Sequence, residues 1–472
     1  MNDHSKHDAA QLSAAQSTKT SAEQPPKPAR RGFLGKAGGL MVAAGSLAAG
    51  TVAEAAVKPH AQQAAPANTL TQKDGIEPFF GTHQGGIVTP QQDYTYLAVF
   101  DLQTEKRAEV IAMLQRWTDA ANKMTRGQIA GPLGNSDGVT SGDPDSASKN
   151  VNDIAPGDSG EALGLQPSRL TLTFGFGPGL FERNGVDRYG LASRRPEALI
   201  DLPKFNGDQL VPEKTGGDLC IQACANDAQV AFHAVRQLAR LAYGSASLKW
   251  VQTGFLSAPK DGGTPRNLMG FKDGTNNPST AKPELMNQFV WAGDEGPAWM
   301  KNGTYSVVRR IRITLEHWDR MQLSFQEQVV GRHKYSGAPL GQAHEFDPVD
   351  LAAKNKDGEA AIPDNSHVRL SNAGSNEGAQ ILRRGYSYND GANFYVERWP
   401  PWRQEVEYDA GLLFVAHQRD PRTGFVRINE KLSKNDIMNQ FITHVGSGIF
   451  ATPPGAAEGS FIGAALFEGL PT

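Results

Sequence analysis

Cysteine is almost missing from this chain: its 472 residues contain two, Cys220 and Cys224. Both fall in "GGDLCIQACAND", whose apolar pattern reads as a strand that would hold them about 13 Å apart, well beyond disulfide reach. Their number and spacing exclude a disulfide framework, the common cysteine-rich zinc sites and covalent haem attachment through CxxCH, so both are expected as buried free thiols. Neither sign of charge dominates. With 47 Lys and Arg against 50 Asp and Glu the net charge is −3, which argues against a nucleic-acid partner. A membrane-spanning run is missing as well: the Gly/Ala-rich apolar stretch ahead of Ala53 amounts to about 14 residues of mild hydrophobicity, short of the ~20 that a bilayer requires.

That stretch belongs to a leader. Residues 1–70 are rich in Ala, Ser, Gln and Pro and carry no apolar period, the composition of a disordered or processed segment. Within them, "ARRGFLGKAGGLMVAAGSLAAGTVAEA" sets Arg30 and Arg31 before Phe33 and Leu34, then the apolar run, then Ala53-Glu54-Ala55, a small-x-small cleavage signal. The order is that of a twin-arginine export signal. The protein is therefore expected to be periplasmic or otherwise exported, with cleavage near Ala55. Such signals resemble those of proteins exported already folded, often around a cofactor.

The remainder reads as α+β. Strands are expected at 93–102, 168–177, 216–227 and 246–256, with helices at 106–124 and 228–244. Strand, helix, strand, strand, helix, strand is the order of a ferredoxin-like unit. The second half repeats it, with strands at 304–313, 379–388 and 410–420 and helices at 316–332 and near 432–445. Two ferredoxin-like halves, 75–260 and 261–472, are expected to pack their sheets together and leave a crevice at the join.

Just past that join lies "GFKDGTNNP", Gly270 to Pro278. Asp-Gly and Asn-Pro force a tight turn, in which Asp273 either caps its own backbone or works on a flat ligand that the glycines let approach. Of the eleven histidines, His4, His7 and His60 fall in the leader, and His233, His317 and His444 fall in helical patterns. His367, in the turn-rich "PDNSHVRLSN", is the one a loop could aim into a crevice. In "ILRRGYSY", adjacent Arg383 and Arg384 face opposite sides of a strand, one inward and one toward solvent. An Asp, an Arg and a His are the parts a peroxide-cleaving haem site needs: an acid–base group, a fixed positive charge and an axial ligand.

"GFKDGTNNP", "HVRLSN", "LRRGYSY" and "GLLFVAHQRD", in that order and behind a twin-arginine signal, closely resemble the dye-decolourising (DyP-type) peroxidases, in particular the exported EfeB-like deferrochelatase/peroxidase subgroup. "GTHQGGIVTP", "GGDLCIQACAND" and "PAWMKNGTYSVVRRIRI" extend the resemblance over 79–470. It implies a dimeric α+β barrel built from the two ferredoxin-like units and one non-covalent haem b per chain in the C-terminal half, 261–472. Asp273 matches the distal acid–base carboxylate, with Gly274 and Thr275 beside it at the cofactor, and Arg383 matches the distal arginine. His367 matches the proximal iron ligand. Asp409 is the candidate for the carboxylate that hydrogen-bonds the proximal imidazole and makes it more electron-donating, with Glu407 two residues away as its rival. Leu412 and Phe414 share a strand face that either walls the pocket or packs in the core. Gly385 stands where some relatives carry an asparagine. Trp399 and Trp402 either relay electrons to bulky substrates or anchor a long loop. The activity implied is oxidation of dyes, phenols or other one-electron donors by hydrogen peroxide. The alternative is release of iron from haem in bacterial iron uptake, with a permease and iron-binding proteins as partners, and the resemblance further implies a homo-oligomer, a dimer.

Overall fold

The computed structural model describes residues 75–132, 156–259, 262–396 and 404–470; Arg30, Arg31, Ala55, Trp399 and Trp402 lie outside them. In the first half, β1 (Tyr94–Leu102) leads to α1 (Arg107–Met124), β2 (Thr171–Phe176), the short α2 (Pro178–Phe181), β3 (Leu219–Ala225), α3 (Ala228–Leu241) and β4 (Ala246–Phe255). Asp227 starts α3 by accepting hydrogen bonds from the amides of Gln229 and Val230, which satisfies donors that a helix leaves open. Val230, Ala234 and Leu238 then recur at helical spacing as its buried stripe. With Val110, Leu114 and Trp117 of α1, that stripe covers Ala98, Phe100, Phe174 and Ile221 on one face of the sheet.

The second half runs α4 (Pro283–Phe289), β5 (Thr304–Ile313), α5 (Leu315–Trp318), α6 (Leu323–Val330), α7 (His367–Ser371), β6 (Leu382–Arg383), β7 (Tyr386–Val396), β8 (Gln404–Gln418), α8 (Arg427–Asn435), β9 (Ile442–Thr452) and α9 (Ala464–Phe467). The strands lie in the order β5-β9-β2-β3-β1-β4-β7-β8-β6, and β8 also pairs with β5, so the sheet closes on itself. This is the expected α+β pair of ferredoxin-like units, joined as a barrel. The helix expected near 432–445 is shorter than its pattern: α8 stops at Asn435, a 3-10 turn covers Ile437–Gln440, and β9 begins at Ile442. Asp436 ends it, because its side chain accepts from the Met438 amide and draws the backbone out of the helix. His444 therefore lies on a strand and not on a helix.

The centre of the join, expected as a crevice, is filled among the described residues. Leu97, Val99, Trp250, Val308, Leu413 and Phe450 fill it as one apolar cluster with Cys220 and Val415, and both cysteines are buried and free. Neighbouring strands crowd there too: a Cβ on Gly175 of β2 would stand 2.7 Å from Cys220 Sγ on β3 and from Phe450 Cβ on β9. Space opens instead on the other face of the C-terminal strands, beneath α7 and α8.

Candidate active site

A cavity of about 700 Å³ lies there, within the usual range of small-molecule and cofactor pockets. Ile311 and Ile313 of β5 and Leu412 and Phe414 of β8 form its floor, Ile428 and Leu432 of α8 its roof, and Phe205 to Asp208 reach it from the first half. Alternation along β8 produces the floor: Leu413 and Val415 go to the core between the sheets, so Leu412 and Phe414 face the cavity.

At one end stand Asp273 and Arg383. Arg383 Nη1 donates to Asp273 Oδ1 at 2.7 Å, and each side chain is only about a quarter exposed, at 28% and 27%. The Asp273 turn is built from the backbone outward. Asp273 N–H donates to Pro265 O at 2.9 Å, Asn277 N–H to Gly274 O at 2.9 Å, and Gly274 takes φ +118°, a conformation that side chains make costly. Lys272 Nζ pairs with Glu345, whose other oxygen accepts from Thr275 Oγ1 at 3.0 Å. Thr275 is thus turned to Glu345 and does not line the cavity, and Gly274 lines only a neighbouring pocket of about 40 Å³. Gly385 does line the cavity, where a Cβ would stand 3.1 Å from Leu412 Cδ1.

Two histidines line the cavity, and their partners distinguish them. His367 opens α7, and its Nδ1 lies 2.6 Å from Oδ2 of the buried Asp436, whose Oδ1 is fixed by the Met438 amide. That leaves Nε2 as the ring nitrogen available to a ligand. His444 Nδ1 instead accepts from Arg309 Nε at 3.0 Å; burial and the Arg309 guanidinium push its pKa down to about 3. An imidazole backed by a carboxylate is the stronger electron donor to a metal, and one that receives a cation's hydrogen bond is the weaker. His417 lies away from the cavity, bonded through Nδ1 to Ser306 Oγ at 2.9 Å, and His333 is paired with Glu327 at 3.0 Å.

Asp409 does not serve His367. It sits at the parity of Leu413 on β8, which turns it between the sheets, where Oδ1 accepts from Arg310 Nη2 at 2.8 Å and Oδ2 from Asn393 at 3.2 Å. Glu407 is taken up by Arg312 at 2.6 Å. The carboxylate beside the imidazole is Asp436, 69 residues along the chain, and its one visible sign in sequence is the turn-capping position in "KNDIMNQ". Arg384 does not reach solvent either. It is 5% exposed, and its guanidinium donates to Thr89 O and Gln92 Oε1, each at 2.5 Å. Sequence reasoning also passed over Arg332, a buried cation on the cavity wall held by the carbonyls of Gly337 and Glu345 at 2.6 and 2.9 Å.

Comparison with known proteins identifies the family. Residues 84–256 match the family model described as Dyp-type peroxidase, N-terminal, and residues 264–457 the one described as Dyp-type peroxidase, C-terminal. The chain is 35% identical to the dye-decolorizing peroxidase of Thermobifida fusca over 93% of its own length and 97% of that protein's. It is 34% identical to the deferrochelatase of Escherichia coli K12 over 87% and 92%. Among solved structures, a DyP-type peroxidase from Streptomyces coelicolor superimposes with a TM-score of 0.72 at 40% identity, covering 84% of this chain and 98% of that one. Ferric DtpA from Streptomyces lividans does so with a TM-score of 0.72 at 39% identity, covering 85% and 100%. Matched through both halves, the chain belongs to the Dyp-type peroxidase family.

Proposed function

We propose that this peroxidase holds one haem b in the 700 Å³ cavity and uses hydrogen peroxide to oxidise dyes, phenols or other one-electron donors. The residues present fit the group. Apolar walls suit a macrocycle, Arg332 makes no ion pair among the described residues and can meet a carboxylate side group, and His367 offers Nε2 because Asp436 occupies Nδ1. When bound, haem would supply the iron at which the O–O bond is broken and, from iron and macrocycle together, the two electrons consumed, which two one-electron donors restore. Asp273 takes the proton from one peroxide oxygen and returns it to the other, which leaves as water. Arg383, 2.7 Å from Asp273, balances the negative charge that develops on the departing oxygen. The Asp436–His367 contact carries the reading, because a buried carboxylate whose second oxygen stands behind a cavity-lining imidazole makes that imidazole a strong ligand.

With haem occupancy matched, Asp273→Asn retains the turn and loses the titrating group, so the stopped-flow rate of reaction with peroxide should fall by about 10²–10⁴-fold. Arg383→Leu should fall at least as far, and a wild-type rate in Asp273→Asn would return that residue to turn capping. His367→Ala should lose the Soret band. Asp436→Asn keeps the turn cap but weakens the ligand, so haem should bind about 10–100-fold less tightly; an unchanged affinity would remove Asp436 from the site.

A second reading, release of iron from haem, is favoured by the E. coli relative named deferrochelatase and would place the protein beside an iron permease and iron-binding proteins. Metal-free porphyrin fluorescence from the haem-loaded protein would support it, and haem that stays intact under reducing conditions would sink it. We also infer export by the twin-arginine route from Arg30, Arg31 and the apolar run before Ala55. Arg30→Lys with Arg31→Lys should leave the protein in the cytoplasm, and normal periplasmic accumulation would contradict this.

A further inference from the structure

Arg383 sits on an open strand edge. β6 pairs with β8 through Leu382↔His417 and Arg383↔Ala416, and the following residue turns its amide toward β8, Arg384 N–H donating to Val415 O at 2.7 Å. Main-chain groups alternate sides along a strand, so the N–H and C=O of Arg383 point away from β8. On that side β4 ends at Phe255, opposite Ser387, and supplies no partner. The side chain of Asn277 does: Nδ2 donates to Arg383 O at 2.7 Å and Oδ1 accepts from Arg383 N–H at 3.2 Å. One primary amide therefore stands in for a strand, and it belongs to the turn that carries Asp273, which Asn277 closes through Gly274 O.

The ion pair alone cannot hold this geometry. Partly exposed pairs contribute roughly 0–1 kcal/mol, and long side chains keep much of their rotamer freedom. We propose that Asn277 is a positioning residue for peroxide chemistry: by locking the main chain of Arg383 to the 273–277 turn, it sets the separation of Asp273 and Arg383. The inference rests on the roles proposed above for those two residues.

Haem-loaded Asn277→Ala, compared with wild type and Asp273→Asn, tests it. Asn277→Ala should keep its Soret band, react with peroxide about 10²-fold more slowly, the scale of a small misplacement, and be reduced by a one-electron donor at the wild-type rate. It should also lose hydrogen-exchange protection at the Arg383 amide in the haem-loaded protein. A wild-type peroxide rate and pH profile would overturn the inference, whatever the loss of thermal stability. Should Asn277→Ala fail to fold, Asn277→Asp keeps size and acceptor while setting an oxygen against Arg383 O; the same slowing is expected, and a wild-type rate overturns the proposal. Slow Asp273→Asn beside fast Asn277→Ala sinks this inference alone, and fast Asp273→Asn removes the roles of the pair and this inference with them.

Discussion

β8 is held along both edges and used on both faces, and the site depends on that double constraint. β5 pairs with one edge, and β6 and β7 share the other. Closure fixes the register, and register fixes which side chains meet the cavity; a slip of one residue would send Leu413 and Val415 into the cavity and Leu412 and Phe414 into the core. The same parity decides the fate of the neighbouring arginines. Arg383 faces the cavity, so Arg384 must enter the space between the sheets, where it finds Gln92 and Thr89 O. That space is layered. Its centre is apolar, and at one end Arg310 lies between Asp409, Asp390 and Gln252 with its guanidinium 4.3 Å from the Tyr388 ring centroid. Buried arginines tolerate such a place only when charge and donors are met in this way.

The cavity contains two imidazoles with opposite electrostatic settings. Asp436 pushes electron density toward His367, and Arg309, itself paired with Asp208, draws it from His444. The hydrogen bond at Nδ1 makes one imidazole the stronger electron donor at its free Nε2 and the other the weaker. Because Asp436 is also the residue that stops α8, the carboxylate is held from two directions and has little freedom to leave the imidazole.

Much of this was legible in the sequence. The βαββαβ order could be read in full in the first half, and without its last strand in the second, because periodicities of two and 3.6 are local properties, and "GFKDGTNNP", "HVRLSN" and "LRRGYSY" named three residues that the fold gathers around one cavity. What failed was non-local. Asp409 lies near the right strand but on the wrong face, a difference set by register. Asp436 lies 69 residues from His367, and nothing in its own segment points there. His444 carries a helical pattern that Asp436 interrupts. Arg384 was assigned to solvent because a two-sided sheet was assumed, and barrel closure buries both sides.

Within the shared element order, helix length explains why the large cavity opens over the strands of the second half. On the first half, α1 and α3 run 18 and 14 residues and lay Leu114, Trp117 and Leu238 onto the sheet. On the second, α6, α7 and α8 run 8, 5 and 9 residues and stand off from Ile311, Leu412 and Phe414. Small dry cavities cost about 24 cal/mol per Å³. At that scale a void of 700 Å³ would consume a stability of only ~5–15 kcal/mol, so the apolar floor must be covered by water or by a bound group. A flat apolar ligand covers it best and stabilises the fold by mass action. Loading and folding are thereby coupled in this half.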